Sequence, residues 1–300
     1  MIKKAVDRIK LLKKAVKNVI YMDIECKYNT KKSLLEYLSL NSKLPLIDTN
    51  SELIVSFTTY SSRLNDVHLV VESIGQQTVK PGRIILWLDE TEFDKSSIPE
   101  ILKLQIDRGL EIRFCKNYRS YKKLIPTVEL LGKSCEIITI DDDILYPYYF
   151  VEELVKESKA HEFCTIAYRC HNINATNGNI GKYSTWEINT AIDEPGINIF
   201  PTGVGGIYYP SGSLDKLIID FSLIDENAPF ADDIWFYLCT RLAGFKTKKI
   251  SREVDFDSEF LTIPASMRNT LAHSNVGLDK NDIQMNSSLS ALNLKDFYFD

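Results

Sequence analysis

Two groups of acidic residues carry the clearest chemistry in this sequence of 300 residues. The first group is Asp141, Asp142 and Asp143, which follow the buried-strand pattern of residues 136–140 directly. Carboxylates this close together repel one another, so we expect a cation to offset their charge. Aspartate oxygens are hard ligands that suit Mg²⁺ or Mn²⁺ better than zinc. The triplet therefore favours a divalent metal site.

The backbone conformation of this triplet decides which of its carboxylates act together. Side chains alternate along an extended segment, so Asp141 and Asp143 would point to one face and Asp142 to the other. The alternative is a solvated aspartate-rich turn in which Asp143 caps the helix expected after Pro147. The sequence leaves both interpretations open.

The second group is the pair Asp232 and Asp233, at the start of a predicted amphipathic helix that ends at Gly244. One aspartate can serve as the N-cap while the other lies in the first turn, where a carboxylate stabilises a helix without any catalytic duty. A carboxylate fixed between apolar neighbours can also act as a general base. Both roles remain possible for this pair.

Charge is unevenly distributed along the chain. The formal net charge is −5, but residues 1–20 hold seven cations and one anion, and the other 280 residues hold 29 cations and 40 anions. An acidic body argues against binding a long nucleic acid, which needs a basic surface. The six cysteines show no C-x-x-C pair, which favours free thiols in a reducing cytosol.

Residues 2–20 predict a basic amphipathic helix, because apolar residues recur every three or four positions and lysines fill the other faces. No apolar run there is long enough for a secretory signal or a membrane span. The helix either lies on an anionic membrane surface or docks on the body of the protein. Residues 21–47 predict a separate helical segment at 31–40 and a polar linker. The apolar positions of the first helix are Ile2, Val6, Ile9, Leu12, Val16 and Val19.

The body predicts an α/β fold in which strands and helices alternate. Strands without polar alternation, separated by helices, imply a mostly parallel, Rossmann-like sheet that helices cover on both faces. Ligands of such sheets bind beyond the carboxyl ends of the strands. After residue 162 we expect short antiparallel pieces and long loops. The predicted strands are 53–57, 83–88, 110–114 and 136–140, and the predicted helices are 65–75, 98–108 and 122–131.

Together these segments resemble the GT-A glycosyltransferases, specifically family-2-like bacterial enzymes of surface-polysaccharide synthesis (O-antigen or capsule). The resemblance covers roughly residues 51–250, and about ninety residues separate the two acidic groups, as in the family. Residues 54–60 resemble the family's opening strand and nucleotide-contacting turn, and residues 203–209 its glycine-rich turn beside the donor sugar. Residues 141–143 match the D-x-D motif, and residues 231–233 resemble the x-E-D motif with Asp in place of the commoner Glu.

We expect three regions. The apolar pattern and the composition predict a basic helix and linker at 1–47 and a C-terminal tail with one short helix at 264–300, and the resemblance implies a GT-A domain between them at 48–263. The resemblance also implies a metal-dependent, inverting glycosyltransferase that moves a sugar from a nucleoside-diphosphate donor, such as a UDP-sugar, to a saccharide. The departing diphosphate would need Mn²⁺ or Mg²⁺. The N-terminal helix adds the expectation of a lipid-linked acceptor and of a cytoplasmic protein, peripheral on the inner face of the cytoplasmic membrane.

The resemblance also assigns roles to individual residues. Asp143 would bind the metal directly, and Asp141 would contact metal or ribose. Asp233 would be the base that takes the acceptor proton, and Asp232 would cap the helix or hold an acceptor hydroxyl. The other candidates are Asp142, Thr58, Thr59, Arg63 and Asp89 for the nucleotide, Lys122 and Lys123 for the diphosphate, Gly205 and Gly206 for the donor sugar, and His273 as a further metal ligand.

Plainer interpretations stand beside these assignments. The lysines fit a solvated surface, the residues around Thr58 fit a simple turn, and His273 fits an exposed tail. Aromatic residues that could stack on sugars fit the core equally well; they are Trp186, Tyr208, Tyr209 and Trp235. Two other functions remain open, namely a metal-dependent phosphohydrolase and a non-catalytic carbohydrate-binding protein with a degenerate transferase fold.

Overall fold

The computed structural model describes residues 2–176, 179–264 and 280–294, with side chains from residue 10 onward. Its strands are β1 Ile54–Thr58, β2 Arg83–Asp89, β3 Leu110–Cys115, β4 Ile137–Thr139, β5 Ile144–Leu145, β6 Cys164–Ala167, β7 Cys170–Asn172, β8 Ala175–Thr176, β9 Asn179–Ile180, β10 Ile199–Pro201, β11 Ile207–Tyr209, β12 Lys246–Lys249 and β13 Leu261–Thr262. Its α-helices are α1 Ile2–Asn41, α2 Val67–Gly75, α3 Glu100–Ile106, α4 Ile125–Leu131, α5 Phe150–Ala160, α6 Phe221–Asn227, α7 Asp232–Leu242, α8 Phe256–Glu259 and α9 Lys280–Ala291.

The central sheet of the described chain has seven strands in the order β12-β6-β11-β4-β1-β2-β3. Strands β4, β1, β2 and β3 are parallel to one another, and β12 is parallel to β6. Strand β11 is antiparallel to both of its neighbours, β4 and β6, so it alone runs against the other six. The predicted mostly parallel sheet is confirmed.

Helices cover both faces of this sheet. On β1, Ile54 belongs to one apolar cluster, whereas Val55 and Phe57 belong to the other. The alternation follows from the extended backbone, which points successive side chains to opposite faces. The cluster of Ile54 includes side chains of α4, α6, α7 and α9, and the second cluster includes those of α1, α2, α3 and α5. The predicted α/β fold class is therefore confirmed.

Helix α1 is continuous over 40 residues, so the predicted division between residues 20 and 31 is wrong. No proline or glycine lies between residues 20 and 31, so neither of the residues that most often break a helix interrupts it there. Side chains 10–23 are exposed, whereas Leu35 and Ser39 are buried against the body. The docking alternative for the helix at 2–20 is therefore wrong for side chains 10–20, and the part of α1 that packs on the body lies beyond residue 23.

A buried ion pair fixes the second half of α1 to the body. The Arg108 guanidinium donates to both oxygens of Glu72 at 2.8 and 2.9 Å. The Ser39 hydroxyl, on α1, donates to the same carboxylate at 3.5 Å, and the Gln105 amide does so at 3.2 Å. Because an unpaired charge in the interior is costly, this group ties α1 to α2 and to the end of α3.

The region after residue 162 contains the expected short antiparallel pairs, β7 with β10 and β8 with β9. A further pair joins β13 to β5, directly after the aspartate triplet. In the described part of the tail, the expected short helix is α9. Among the described residues, none of the helices combines the length and the apolar character that crossing a membrane requires.

Candidate active site

The residues predicted to do chemistry converge at one edge of the sheet. In the parallel register, Ser56 of β1 lies opposite Thr139 of β4, and Thr58 lies opposite Trp87 of β2. The segments that follow these strands therefore leave the sheet at the same carboxyl edge. Antiparallel β11 begins there, since Ile207 pairs with Thr139, which brings the turn at 203–206 to this edge as well.

Asp142 and Asp143 share one cation at this edge. The Arg63 Nη1 lies 2.6 Å from Asp142 Oδ1 and 3.2 Å from Asp143 Oδ2. The Thr59 hydroxyl donates to Asp142 Oδ2 at 2.6 Å. Thr59 and Arg63, which we expected to contact a nucleotide, therefore hold two members of the triplet. Arg63 also lies over the ring of Tyr60, with the guanidinium carbon 4.9 Å from the ring centroid.

The expected alternation within the triplet is wrong. Strand β4 ends at Thr139 and the triplet forms a turn, so Asp142 and Asp143 both reach Arg63. The expected capping by Asp143 is also wrong, because α5 begins at Phe150 and its N-cap makes no side-chain hydrogen bond. The backbone carbonyl of Asp143 instead accepts from the Ile263 N–H at 2.8 Å.

The ammonium of Lys123 lies between the two acidic groups. It is 3.7 Å from Asp141 Oδ1, 2.7 Å from Asp232 Oδ2 and 3.5 Å from Asp233 Oδ1. Burial alone would lower the pKa of Lys123, but the charges of the three aspartates outweigh it and raise the pKa well above the ordinary value. Lys123 therefore stays charged and joins residues that are distant in sequence. The expected solvated-surface environment for this lysine is wrong.

Both acids of the second group lie in the first turn of α7, whose N-cap is Ala231. The expected N-cap role is therefore wrong for Asp232 and for Asp233. Asp232 accepts from the Ser120 hydroxyl at 2.9 Å, and Asp233 accepts from the Gly203 N–H at 2.9 Å. The side chain of Asp233 is 30% exposed against 14% for Asp232. Asp233 is thus the more accessible carboxylate of the pair.

Burial is the largest cause of the raised pKa of the Asp233 carboxyl, which reaches about 6. Lys123 and the Gly203 N–H act against this rise, whereas the neighbouring charge of Asp232 adds to it. Burial also raises the pKa values of Asp141 and Asp142. A carboxyl that exchanges its proton near neutral pH suits general-base catalysis.

The glycine turn closes tightly around these groups. An added Cβ at Gly203 would lie 2.6 Å from Lys123 Nζ and 3.0 Å from Asp233 Oδ1. Gly205 and Gly206 adopt φ values of +93° and +81°, which favour glycine. An added Cβ on these two would meet ring atoms of Phe256 and Phe150 respectively. Gly203, which we did not predict as a site residue, is the glycine in contact with the acidic groups.

Several residues that we predicted to bind the nucleotide or the diphosphate do not contact the cluster of aspartates around Lys123. Lys122 forms its own buried pair with Asp89, at 3.4 Å. Burial would raise the pKa of Asp89, but hydrogen bonds from Thr91 and the charge of Lys122 lower it below its ordinary value. The Thr58 hydroxyl donates to the Trp87 carbonyl at 2.8 Å.

The remaining candidates from the sequence either lie outside the described residues or belong to the buried core. His273 lies outside the described residues. The aromatic residues considered for sugar stacking are core residues; they are Trp186, Tyr208, Tyr209 and Trp235. Ser120 is a site residue that we missed, although it lies next to the lysine pair in sequence.

The carboxylates of this cluster are hard oxygen donors, the type of ligand that a divalent cation prefers. Five carboxylates (Asp141, Asp142, Asp143, Asp232 and Asp233) and two cations (Arg63 and Lys123) leave a formal excess of three negative charges in this cluster. Among the described residues, no group of three or more His, Cys, Asp or Glu side chains is arranged to hold a metal ion.

Comparison with known proteins gives no family assignment. No family model matches the sequence, and no curated protein matches it. Similar solved structures include a CMP:2-keto-3-deoxy-manno-octonic acid synthetase complexed with CTP, at 12% identity and a TM-score of 0.42 over 75% of this chain and 98% of that one. Residues 1–349 of S. aureus TarS in complex with UDP match at 12% identity and a TM-score of 0.44, over 67% of this chain and 58% of that one. A 4-diphosphocytidyl-2C-methyl-D-erythritol synthase matches at 12% identity and a TM-score of 0.38, over 72% of this chain and 94% of that one.

The raised pKa of Asp233 predicts that stability without bound metal depends on pH. Between the ordinary value of 3.8 and about 6, the folded protein keeps a proton that the unfolded chain has released. The free energy of unfolding contributed by this group therefore falls as pH rises through that range, by about 1–3 kcal/mol. Asp233→Asn should remove this decrease. Urea unfolding in a chelating buffer from about pH 4.5 to about pH 8 measures it.

The matched control is Asp225→Asn, since Asp225 is exposed and lies outside the cluster. This variant should keep the pH dependence of the wild type. Equal pH dependence in the wild type and in Asp233→Asn would show that the Asp233 carboxyl titrates normally.

Proposed function

We propose that the protein is a metal-dependent, inverting glycosyltransferase that moves a sugar from a UDP-sugar to a saccharide acceptor in polysaccharide biosynthesis. The observation that carries this proposal is the cluster in which Lys123 contacts Asp141 on one side and Asp232 and Asp233 on the other. The cluster combines the acidic turn at 141–143, which would face the sugar donor, with the partly exposed carboxylate of Asp233, whose pKa is raised. Both lie at the edge of the sheet where ligands of such folds bind.

The donor side would hold the cation and the diphosphate. Asp143 and Asp141 supply the hard oxygen ligands, while Arg63 and Thr59 fix the turn through Asp142. A diphosphate alone would be repelled by the excess negative charge of the cluster. When bound, Mn²⁺ or Mg²⁺ would offset the charge that develops on the leaving diphosphate.

The pair of Asp89 and Lys122 would bind the nucleotide. Strand β2 carries Asp89 to the same edge of the sheet, and Lys122 adjoins Lys123 in sequence. A fixed, charged carboxylate suits the hydroxyls of a ribose, and the ammonium beside it suits a phosphate oxygen.

Asp233 would be the base for the acceptor. As the acceptor oxygen bonds to the anomeric carbon of the sugar, its proton would pass to Asp233. The bond between that carbon and the diphosphate oxygen would break, and its electron pair would leave with the nucleoside diphosphate. Direct displacement of this kind inverts the anomeric centre. Asp232 is engaged by Lys123 and Ser120, so it would orient the cluster rather than take the proton.

The exposed half of α1 would place the enzyme on an anionic membrane surface, where a lipid-linked acceptor lies. Apolar Leu12, Val16 and Val19 are 66%, 51% and 67% exposed. The lysines on the same stretch are Lys10, Lys13, Lys14 and Lys17. A helix of this kind binds through apolar insertion and through attraction to anionic headgroups. This location corresponds to the cytoplasmic side of the membrane.

The reaction class predicts the outcome of a donor screen. Incubation with a panel of nucleotide sugars, a saccharide acceptor and Mn²⁺ should release a nucleoside diphosphate from one donor. EDTA should abolish the release, and Mn²⁺ or Mg²⁺ should restore it. Full activity in exhaustively chelated enzyme would refute the metal requirement. Hydrolysis of unrelated phosphoesters would indicate a phosphohydrolase, and sugar binding without turnover a non-catalytic protein.

Substitutions should separate the roles of the two acidic groups. Asp143→Asn should weaken metal-dependent UDP binding and transfer together. Asp233→Asn keeps the size of the side chain but cannot take the proton, so UDP binding should persist while transfer falls by roughly 10²–10⁴-fold. Calorimetry with Mn²⁺–UDP and initial transfer rates measure the two effects.

Asp232→Asn serves as the comparison, since adjacent helical positions point about 100° apart. It should slow transfer less than Asp233→Asn does. The opposite ranking would exchange the roles of the two aspartates, and unchanged transfer in both variants would exclude either as the base.

The membrane role of α1 predicts binding to anionic vesicles. Replacing Lys10, Lys13, Lys14 and Lys17 by Gln should release the protein from such vesicles, and high salt should do so in part. Co-sedimentation measures the bound fraction, and transfer to soluble acceptors should persist. The control replaces four exposed lysines elsewhere, namely Lys43, Lys95, Lys133 and Lys216. A wild-type protein that ignores anionic vesicles would refute this role.

A further inference from the structure

We infer that Lys31, on the docked half of α1, is a positioning residue for the donor-binding turn Asp141–Asp143. The inference rests on the proposed function for its kinetic consequence. The Lys31 ammonium donates to the backbone carbonyl of Tyr146 at 2.7 Å and to that of Leu145 at 3.2 Å. These carbonyls lie just after the aspartate triplet, more than one hundred residues away in sequence.

Tyr146 connects the Lys31 contact to the aspartate triplet through its hydroxyl group. Its hydroxyl accepts a hydrogen bond from the Asp141 N–H at 2.9 Å, and its own N–H donates to the Ser73 hydroxyl at 3.2 Å. The ring is buried and packs on Phe150 and Phe260, with centroid distances of 4.5 and 6.0 Å. One rigid side chain therefore joins the carbonyl that Lys31 holds to the backbone of the first aspartate.

The rest of the turn is held from the same side. The Asp143 carbonyl accepts from the Ile263 N–H, and β5 pairs with β13 immediately beyond it. Helix α1 packs against β13 as well as against α2. Lys31 thus adds a contact from α1 to a support that also includes these backbone pairs and the hydrogen bonds of Tyr146.

The environment of Lys31 differs from that of an ordinary surface lysine. Burial lowers the pKa of its ammonium to about 8. A buried ammonium is costly unless it is hydrogen-bonded, and here the two carbonyls provide the bonds. Lys27, one turn earlier on the helix, is instead exposed and pairs with Asp23 at 2.7 Å. Lys27 therefore provides a matched control.

The kinetic test compares Lys31→Met, Lys31→Arg and Lys27→Met in the full chain. Lys31→Met keeps the apolar stem and removes the charge-assisted hydrogen bonds. We expect the Mn²⁺ concentration for half-maximal transfer, and the KM for the nucleotide sugar, to rise about tenfold with kcat changed less than about threefold. Lys31→Arg should restore both constants to within about threefold of wild type, and Lys27→Met should leave them unchanged. A loss confined to kcat, or no change in Lys31→Met, would overturn the inference.

Hydrogen exchange tests the positioning without any assumption about the reaction. In the metal-free protein, Lys31→Met should speed exchange of the Asp141 amide about tenfold over wild type and over Lys27→Met. Exchange in β2 should stay unchanged, which would exclude general destabilisation. Unchanged exchange at Asp141, or equal acceleration in β2, would refute the positioning role even in an active transferase. Faster exchange at Asp141 in a protein that turns over no nucleotide sugar would refute the proposed function and leave the positioning role standing.

Discussion

The buried ammonium of Lys123 is the interaction on which the rest of the site depends. It lies within 3.7 Å of one carboxylate from the triplet and of both carboxylates from α7. Without a cation between them, these aspartates would repel one another in a poorly solvated place. The lysine is fixed by its own backbone, because the Ser56 hydroxyl of β1 donates to its carbonyl at 2.7 Å. The sheet therefore sets the position of the charge that holds the two acidic groups together.

The position of Lys123 also explains why Asp232 and Asp233 differ in their contacts and exposure. Asp232 receives the closest contact from Lys123 and a hydrogen bond from Ser120, whereas Asp233 is farther from the ammonium and more exposed. Burial raises the pKa of Asp233 to about 6, in the range where a carboxylate takes up and releases protons near neutral pH. The triplet keeps a formal excess of negative charge, because Asp142 and Asp143 share Arg63 and Lys123 lies closer to Asp232 than to Asp141.

The alternating strands and helices, the parallel sheet and the edge of the sheet at which the acidic residues lie were predictable, because they depend on local apolar patterns and on one general property of parallel sheets. The two acidic groups were predictable because charges that directly follow buried segments are conspicuous. The residues that contact these two acidic groups were not predictable from the sequence. Lys123 was expected to face a diphosphate, yet its contacts come from residues up to 110 positions away, which no local pattern records.

The local backbone conformation at several of these positions could not be predicted from the sequence either. Whether Asp141–Asp143 is extended or turned depends on where β4 ends, and that is set by its pairing with β1 and β11. The same holds for Gly203, whose close contact with Lys123 arises only when the turn before β11 folds onto the sheet edge. Helix α1 is a single helix where the sequence pattern predicts two segments, because no proline or glycine separates them.

A double-mutant cycle on the free energy of unfolding tests the central role of Lys123 most directly. Lys123→Met is combined with Asp232→Asn and, separately, with Asp141→Asn, and each cycle yields a coupling energy. We predict coupling of at least about 2 kcal/mol with Asp232, at 2.7 Å, and a smaller but measurable value with Asp141, at 3.7 Å. Single substitutions that add to within about 0.5 kcal/mol in both cycles would contradict the account, because Lys123 would then not hold the two acidic groups together.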